Sequence, residues 1–209
     1  MKNFRKNILT LGLAILIPQL SWGLATLRAT YTGLVSKDAL KDACVGTTCA
    51  TNSPAMVPLY GLGADAIISL PLIPFGFGVR YENLGLSASS GSVEADAKLN
   101  RTALLINYRF IDTIIHFGLI GSFGLTHSGG MTVKVSNTNA VDYSGDNFTT
   151  YSLGAELEVK PLIVLPLVVG AEAGYMGANW KGAKDSVSSN TKDLDLSGTY
   201  AKLFIGLDF

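Results

Sequence analysis

Eight segments of this chain alternate apolar and polar residues with period two, and this pattern constrains the fold more than any other feature. In one of them every even position from Tyr60 to Leu70 is apolar, whereas Gly61, Gly63 and Asp65 lie between. Strict alternation is typical of a β-strand with two unlike faces. The eight segments lie at about 27–33, 60–70, 75–82, 101–110, 115–123, 151–159, 167–175 and 201–209. The sequence therefore predicts an all-β protein of eight strands.

The connections between the predicted strands alternate in length. Residues 36–57, 87–98, 128–147 and 179–195 are long and rich in Ser, Thr, Asn, Asp and Gly, whereas 71–74, 111–113 and 160–165 are short. Short periplasmic turns and long extracellular loops are typical of transmembrane β-barrels. We therefore predict an up-and-down antiparallel barrel with four extracellular loops.

The cost of placing charge in lipid decides which face points outward. An Arg or Lys facing the bilayer midplane costs about 2–4 kcal/mol, so the apolar face is predicted to face lipid and the polar face the lumen. The predicted lumen charges, with one histidine, are Arg28, Asp65, Arg80, Glu82, Arg101, Arg109, His116, Glu156, Glu158, Glu172, Lys202 and Asp208. A soluble β-sandwich or a lipocalin would instead pack the apolar face inward.

Aromatic residues near both ends of the apolar face favour the membrane alternative. Tyr31, Tyr60, Tyr81, Phe123, Tyr151 and Tyr175 lie toward the long connections, and Phe75, Phe77, Tyr108, Phe110, Phe117 and Phe209 lie toward the short ones. Two belts of this kind mark the two membrane interfaces. Only 15% of the residues are charged, against about 25% in soluble domains, which points the same way.

The N-terminal segment has the features of a secretory signal peptide. Three cations within the first six residues precede an apolar core at 8–17, and small residues follow at Ser21, Gly23 and Ala25. Cleavage after Gly23 and cleavage after Ala25 both satisfy the small-x-small rule. The apolar core is too short for a retained membrane helix. We therefore predict a signal peptide at 1–25 and a barrel at 26–209.

These features together resemble the small outer-membrane β-barrels of Gram-negative bacteria, the OmpA/OmpX-type group. The last strand alternates Leu203, Ile205, Leu207 and Phe209, which resembles the signal that such proteins present to the barrel-assembly machinery. The resemblance implies an outer-membrane location. It also implies that outer-membrane lipid, lipopolysaccharide and the assembly machinery are partners.

The charges inside the predicted barrel bear on whether it conducts. Five inward cations face six inward anions, and an eight-stranded barrel is only wide enough for its own side chains. We therefore predict a lumen plugged by ion pairs. The predicted function is a non-enzymatic envelope structural or surface-interaction protein that contacts an unidentified extracellular ligand or surface through its loops. A narrow pore or transporter of small solutes is the alternative.

Cys44 and Cys49 are the only cysteines and lie close together in the first long connection. In an oxidising compartment such a pair predicts a disulfide. The sequence offers no second pair of ligands for zinc, and we predict neither a metal nor a cofactor.

A lipid A-modifying enzyme is a third, weaker alternative, because some small barrels act on lipid A. Such an activity needs a nucleophile beside a base, and His127 with Ser128 is the one tempting pair. Neighbours on one strand point to opposite faces, so we predict no catalytic residues. After removal of the signal peptide, 13 cations face 16 anions, a net charge of −3. This charge gives no reason to bind nucleic acid.

Overall fold

The structure is a computed structural model, and it describes part of the chain. The described residues are 24–37, 44–45, 48–49, 55–70, 73–90, 93–135, 139–161, 165–187 and 191–209. Of the predicted signal peptide, only Leu24 and Ala25 lie within these ranges, so its cleavage remains a prediction. No helix in the described ranges is long and apolar enough to cross a bilayer.

Twelve strands account for most of the described residues. They are β1 (Ala25–Ser36), β2 (Cys44–Val45), β3 (Thr48–Cys49), β4 (Val57–Ser69), β5 (Phe75–Ser90), β6 (Val93–Asp112), β7 (Ile115–Val135), β8 (Asn139–Gly145), β9 (Phe148–Val159), β10 (Leu167–Asp185), β11 (Thr191–Asp195) and β12 (Gly198–Asp208). The alternating segments of the sequence fall within strands, except that Leu70 and Phe209 lie one residue beyond the ends of β4 and β12.

Eight of these strands form a closed antiparallel ring in the order β1, β4, β5, β6, β7, β9, β10 and β12. The ring closes where β1 pairs with β12, with Leu27 opposite Leu207. Each strand of the ring lies beside the next one along the chain, which is an up-and-down meander. The predicted all-β barrel of eight strands is confirmed.

Burial along the strands follows the predicted parity. On β12, Lys202 is 1% exposed whereas its neighbour Leu203 is 66% exposed. The exposed apolar face continues around the ring, and most residues of the two predicted aromatic belts lie on it. The barrel therefore presents an apolar outer wall and encloses polar side chains.

The structure corrects the predicted long loops. Segments 87–98, 128–147 and 179–195 consist mainly of strand. Most of 36–57 lies outside the described residues. Strand β6, for example, buries Ala95, Ala97 and Leu99 and exposes Asp96 and Lys98 between them. The alternation thus continues beyond the membrane-facing wall, and the polar composition belongs to the solvent face of these strands.

The strands reverse their polarity where they leave the apolar wall. We call the described parts of 83–100, 128–145 and 177–195 the upper extension, and the opposite end, with Phe209 and the short turns, the lower end. Inside the upper extension lies a buried apolar cluster, the upper core, formed by Leu34, Met56, Leu84, Leu86, Ala88, Ala95, Ala97, Leu99, Met131, Val133, Val141, Tyr143, Phe148, Met176, Ala178, Trp180, Ala183, Leu194, Leu196 and Tyr200. The upper extension therefore has a polar, solvent-facing outer surface and an apolar interior, as a sheet in a soluble protein does.

A short hairpin from the first connection lies against the upper extension. Strands β2 and β3 pair with Cys44 opposite Cys49, and β2 lies beside β7 and β8. Directly opposed residues of an antiparallel pair have Cα atoms about 4.5–5.5 Å apart, within the range that a disulfide spans. The cysteine side chains lie outside the described part, so the disulfide remains a prediction.

Candidate functional site: the charged lumen

The structure brings the predicted lumen charges together inside the ring. Eleven of the twelve predicted residues are at most 6% exposed. Arg109, near the lower end, is only half-buried. Their placement follows from strand parity, because each lies on the face opposite the apolar wall.

Arg28 bridges two carboxylates from the far side of the lumen. Its Nη1 lies 2.5 Å from Glu156 Oε2, and its Nη2 lies 2.6 Å from Glu158 Oε2. The guanidinium carbon also lies 4.3 Å from the ring centre of Phe204, a cation–π contact. His116 Nε2 is 3.7 Å from the second oxygen of Glu158. One cation thus joins β1 to β9 across the barrel.

Arg80 makes two bidentate contacts. Its Nε and Nη2 each donate to Asp65 at 2.9 Å. Its Nη1 and Nη2 donate to Glu172 at 3.0 and 2.7 Å. The Tyr200 hydroxyl donates to the same Glu172 at 2.6 Å. This group ties β5 to the opposite strand β10.

Glu82 is held by two cations. Arg101 Nε donates to it at 2.6 Å, and Lys202 Nζ lies 2.7 Å from its other oxygen. Thr32 Oγ1 donates to that oxygen at 3.0 Å. Lys202 Nζ also lies 3.8 Å from Glu172, which links this group to Arg80. The side chains of both cations and both acids are 0% exposed.

The lower end contains one ion pair that sequence reasoning missed. Lys160 pairs with Asp208, which also accepts a hydrogen bond of 2.9 Å from Thr26 Oγ1. Lys160 follows β9 directly and falls in a segment predicted to be a turn. Strand parity carries no information there, so only the three-dimensional structure reveals the pair.

Glycine at inward positions makes room for these side chains. A Cβ at Gly63 would lie 2.6 Å from Thr30 Oγ1 and 3.2 Å from Glu82 Cγ. A Cβ at Gly206 would lie 2.9 Å from Arg28 Cγ. Larger residues at these positions would displace the side chains that carry the ion pairs.

Apolar residues complete the filling of the lumen and were also missed. Ile67, Leu105 and Ile120 form a small buried cluster on one side, and the upper core lies above the charges. The signal was present in the sequence, since these residues share the parity of the inward charges. Charged and apolar side chains therefore share the interior of the ring.

The tempting catalytic pair is split between two faces of β7. His127 Nε2 makes a hydrogen bond of 2.8 Å with Thr150 Oγ1, whose residue is buried. Ser128 is exposed, and its hydroxyl accepts from Asn100 Nδ2 at 3.4 Å. The two side chains therefore do not form a nucleophile and base couple. Within the described ranges no cluster of three or more potential metal ligands occurs.

Comparison with known proteins gives similarity in structure only. No protein-family model matches the chain, and no curated protein sequence is significantly similar to it. The crystal structure of Neisserial surface protein A aligns with a TM-score of 0.50 and 11% identity, over 88% of this chain and 97% of its own.

Two further structures align with lower scores. Ail, the attachment invasion locus protein of Yersinia pestis, was solved with the heparin analogue sucrose octasulfate. It aligns with a TM-score of 0.46 and 12% identity, over 88% of this chain and 98% of its own. The outer membrane protease OmpT of Escherichia coli aligns with a TM-score of 0.41 and 9% identity, over 88% of this chain and 96% of its own. Such identities concern the fold and not the activity. With its closed ring, its apolar wall and its likeness to the Neisserial protein, this chain has the fold of the small eight-stranded outer-membrane β-barrels.

Proposed function

We propose that the protein is a non-enzymatic outer-membrane barrel that does not conduct, and that it serves the envelope as a structural or surface-interaction protein. The apolar wall fits a bilayer because charged side chains on that face would be costly. The signal peptide predicted from the sequence would direct the chain out of the cytoplasm. These two features together support an outer-membrane location.

One observation carries the proposal of a plugged lumen. The cations and acids at mid-barrel are paired with each other, and their side chains are 0–5% exposed. A water-filled path would leave such groups accessible to solvent. The upper core forms a second barrier above them, since an ion crossing it would have to leave water for an apolar interior.

The upper extension supports a role in surface contact. It projects as paired strands with polar residues outside, such as Glu94, Asp96 and Lys98. Such a surface is better ordered than a free loop and can present a fixed set of side chains to an external ligand or surface. Outer-membrane lipid and lipopolysaccharide would surround the wall below it, and the assembly machinery would recognise the strand that ends at Phe209.

The absence of catalysis is proposed from the geometry of His127 and Ser128, which face opposite sides of one strand. Mass spectrometry of lipid A from deletion cells tests this part. Unchanged lipid A is expected. A change that is restored by the wild-type gene but not by a Ser128→Ala variant would overturn it.

Planar-bilayer recording tests the plugged lumen. We expect the purified, folded barrel to show no regular, long-lived conductance. Regular channels whose ion selectivity changes in Arg80→Gln or Glu172→Gln variants, at unchanged stability, would establish the pore alternative instead.

Cell fractionation tests the location on which the proposal depends. The protein is expected with outer membranes, and unboiled samples should migrate differently from boiled ones on a gel. Recovery as a soluble protein with a single gel position would refute the membrane barrel.

A further inference from the structure

Among the side chains that the structure describes, those exposed at the lower end of the barrel are mostly apolar. Five apolar residues in or beside the short turns, Leu70, Ile73, Ile111, Ile114 and Leu165, are 42–53% exposed. The other exposed residues of the turns are prolines and Thr113, among those whose side chains are described. Among the charged side chains of this end that are described, Asp208 is buried and pairs with Lys160, which is 17% exposed.

This composition is unlike that of turns in water. Turns in water favour Gly, Asn, Asp and Ser, which tolerate tight backbone geometry and hydrogen-bond to their own backbone. The connections of the upper extension follow that rule and expose Asp146, Asn147 and Ser186. The exposed residues of the upper connections therefore suit water, whereas those of the lower turns suit an apolar medium.

The backbone of the lower turns is also suited to an apolar medium. Unpaired N–H groups are costly in lipid, and here the turns supply partners. Ile73 N–H donates to Leu70 C=O at 3.3 Å, and Lys160 N–H donates to Ile114 C=O at 2.9 Å. Thr113 donates to Ile115 C=O through both its N–H, at 3.3 Å, and its hydroxyl, at 3.2 Å.

Proline removes further donors from these turns. Pro74, Pro161 and Pro166 have no N–H to satisfy. The carbonyl groups of Pro74 and Pro166 accept hydrogen bonds from the backbone N–H groups of Arg109 and Asp208, at 2.8 and 2.7 Å. In the described parts of the turns, these hydrogen bonds and prolines reduce the number of backbone groups that would need water.

The exposed surface of the turns is continuous with the apolar wall. Phe75, Phe110 and Phe117 lie on the wall just above the turns and contact one another in a row with Tyr108, with ring centres 4.9–6.0 Å apart. Phe209 is 58% exposed at the same end. No ring of exposed charge separates the wall from the turns among the described side chains.

From these observations we propose that the described residues of the short turns lie in the lipid of the inner leaflet and do not project into periplasmic water. The proposal rests on the proposed membrane location. It assigns the lower end of the barrel a lipid surface as its partner.

Tryptophan fluorescence tests the proposal, because the described chain contains Trp180 and no other tryptophan. In the chain from Leu24 onward, Trp180→Phe gives a background without tryptophan. Single tryptophans are then introduced as Ile73→Trp or Ile114→Trp. Each variant is folded into phosphatidylcholine vesicles whose acyl chains carry bromine near the carbonyl, and folding is checked by heat-dependent gel migration.

Two matched variants supply the reference values. Phe117→Trp reports the wall, and Lys181→Trp reports water at the upper extension. We expect both turn variants to show blue-shifted emission and bromine quenching close to those of Phe117→Trp, and little quenching by aqueous iodide.

The outcomes separate this proposal from the one on which it rests. If Phe117→Trp is quenched by bromine but both turn variants behave like Lys181→Trp, the turns lie in water and the inference is overturned while the barrel remains in the membrane. If Phe117→Trp is not quenched either, the membrane location itself is wrong. Protection of the turns from iodide without bromine quenching would indicate that a second copy of the barrel covers them and would also overturn the inference.

Discussion

Replacing Glu82 by Gln tests whether the lumen charges form an interdependent network. The change removes one negative charge and preserves the size of the side chain. Arg101 and Lys202 both lie within 2.7 Å of this carboxylate. In the part of the chain that the structure describes, Lys202 has one further acidic partner, Glu172 at 3.8 Å. Two buried cations therefore lose their main partner together.

The expected loss of unfolding free energy follows from the cost of breaking a buried pair. Removing one partner of a buried ion pair costs about 3–5 kcal/mol, because the remaining charge is left uncompensated. The matched control is Glu172→Gln, for which Arg80 retains both contacts to Asp65 at 2.9 Å. For this control variant we expect the free energy of unfolding to fall by about 2 kcal/mol, the scale of a hydrogen bond to a charged group.

The assay is urea unfolding of barrels folded into phosphatidylcholine vesicles, followed by Trp180 fluorescence and by gel migration. The double variant Glu82→Gln with Arg101→Met should lose at least 1 kcal/mol less than the sum of the single losses, because it removes the uncompensated cation with the acid. A loss below about 0.5 kcal/mol for Glu82→Gln, the scale of a surface substitution, would refute the reasoning. So would a larger loss for Glu172→Gln than for Glu82→Gln.

Three further changes probe other parts of the molecule. Trp180→Ala should cost about 3–5 kcal/mol by opening a cavity in the upper core. It should make the upper extension sensitive to protease, with Lys181→Ala as an unaffected control, and equal resistance of both would contradict this. Cys44 and Cys49 should label with thiol reagents only after reduction, which should cost about 2 kcal/mol and leave the barrel folded; labelling of unreduced protein would disprove the disulfide. Deleting Phe209 removes two backbone hydrogen bonds to the first strand, of 3.1 and 2.8 Å, and should reduce the amount of folded barrel while export continues. Normal amounts of folded barrel would show that the terminal residue is not needed for assembly.

The membrane-facing wall could be predicted from the sequence because a bilayer imposes one rule on every strand. A lipid-facing position must be apolar, and period two then fixes the inward set without any knowledge of strand pairing. Inward positions such as Arg28, Arg80 and Lys202 followed from this rule alone.

Composition and periodicity give opposite predictions for the upper extension, and the structure follows the periodicity. Segments rich in Ser, Asn and Asp resemble loops, yet Ala95, Ala97 and Leu99 alternate with polar residues as regularly as the wall does. Above the lipid the outward-facing side chains of a strand contact water, and the inward-facing ones pack in an apolar core. The alternation therefore continues along the strand with the opposite polarity. The phase of this alternation along the strand is therefore the sequence signal for the upper core.

Which charges pair could be decided only by the tertiary structure. Arg28 and Glu156 are 128 positions apart in the chain, and parity states only that both face the lumen. Their contact depends on the tilt and stagger of the closed ring, which set the heights at which side chains from distant strands meet. Glu82 and Arg101, in contrast, are direct neighbours through the register of β5 and β6, and that register depends on the turn that joins them. The sequence alternation by itself thus determined which residues of each strand face lipid and which face the lumen. The closure of the ring determined which lumen residues form ion pairs, because a local sequence pattern carries no information about the distance between side chains on separate strands.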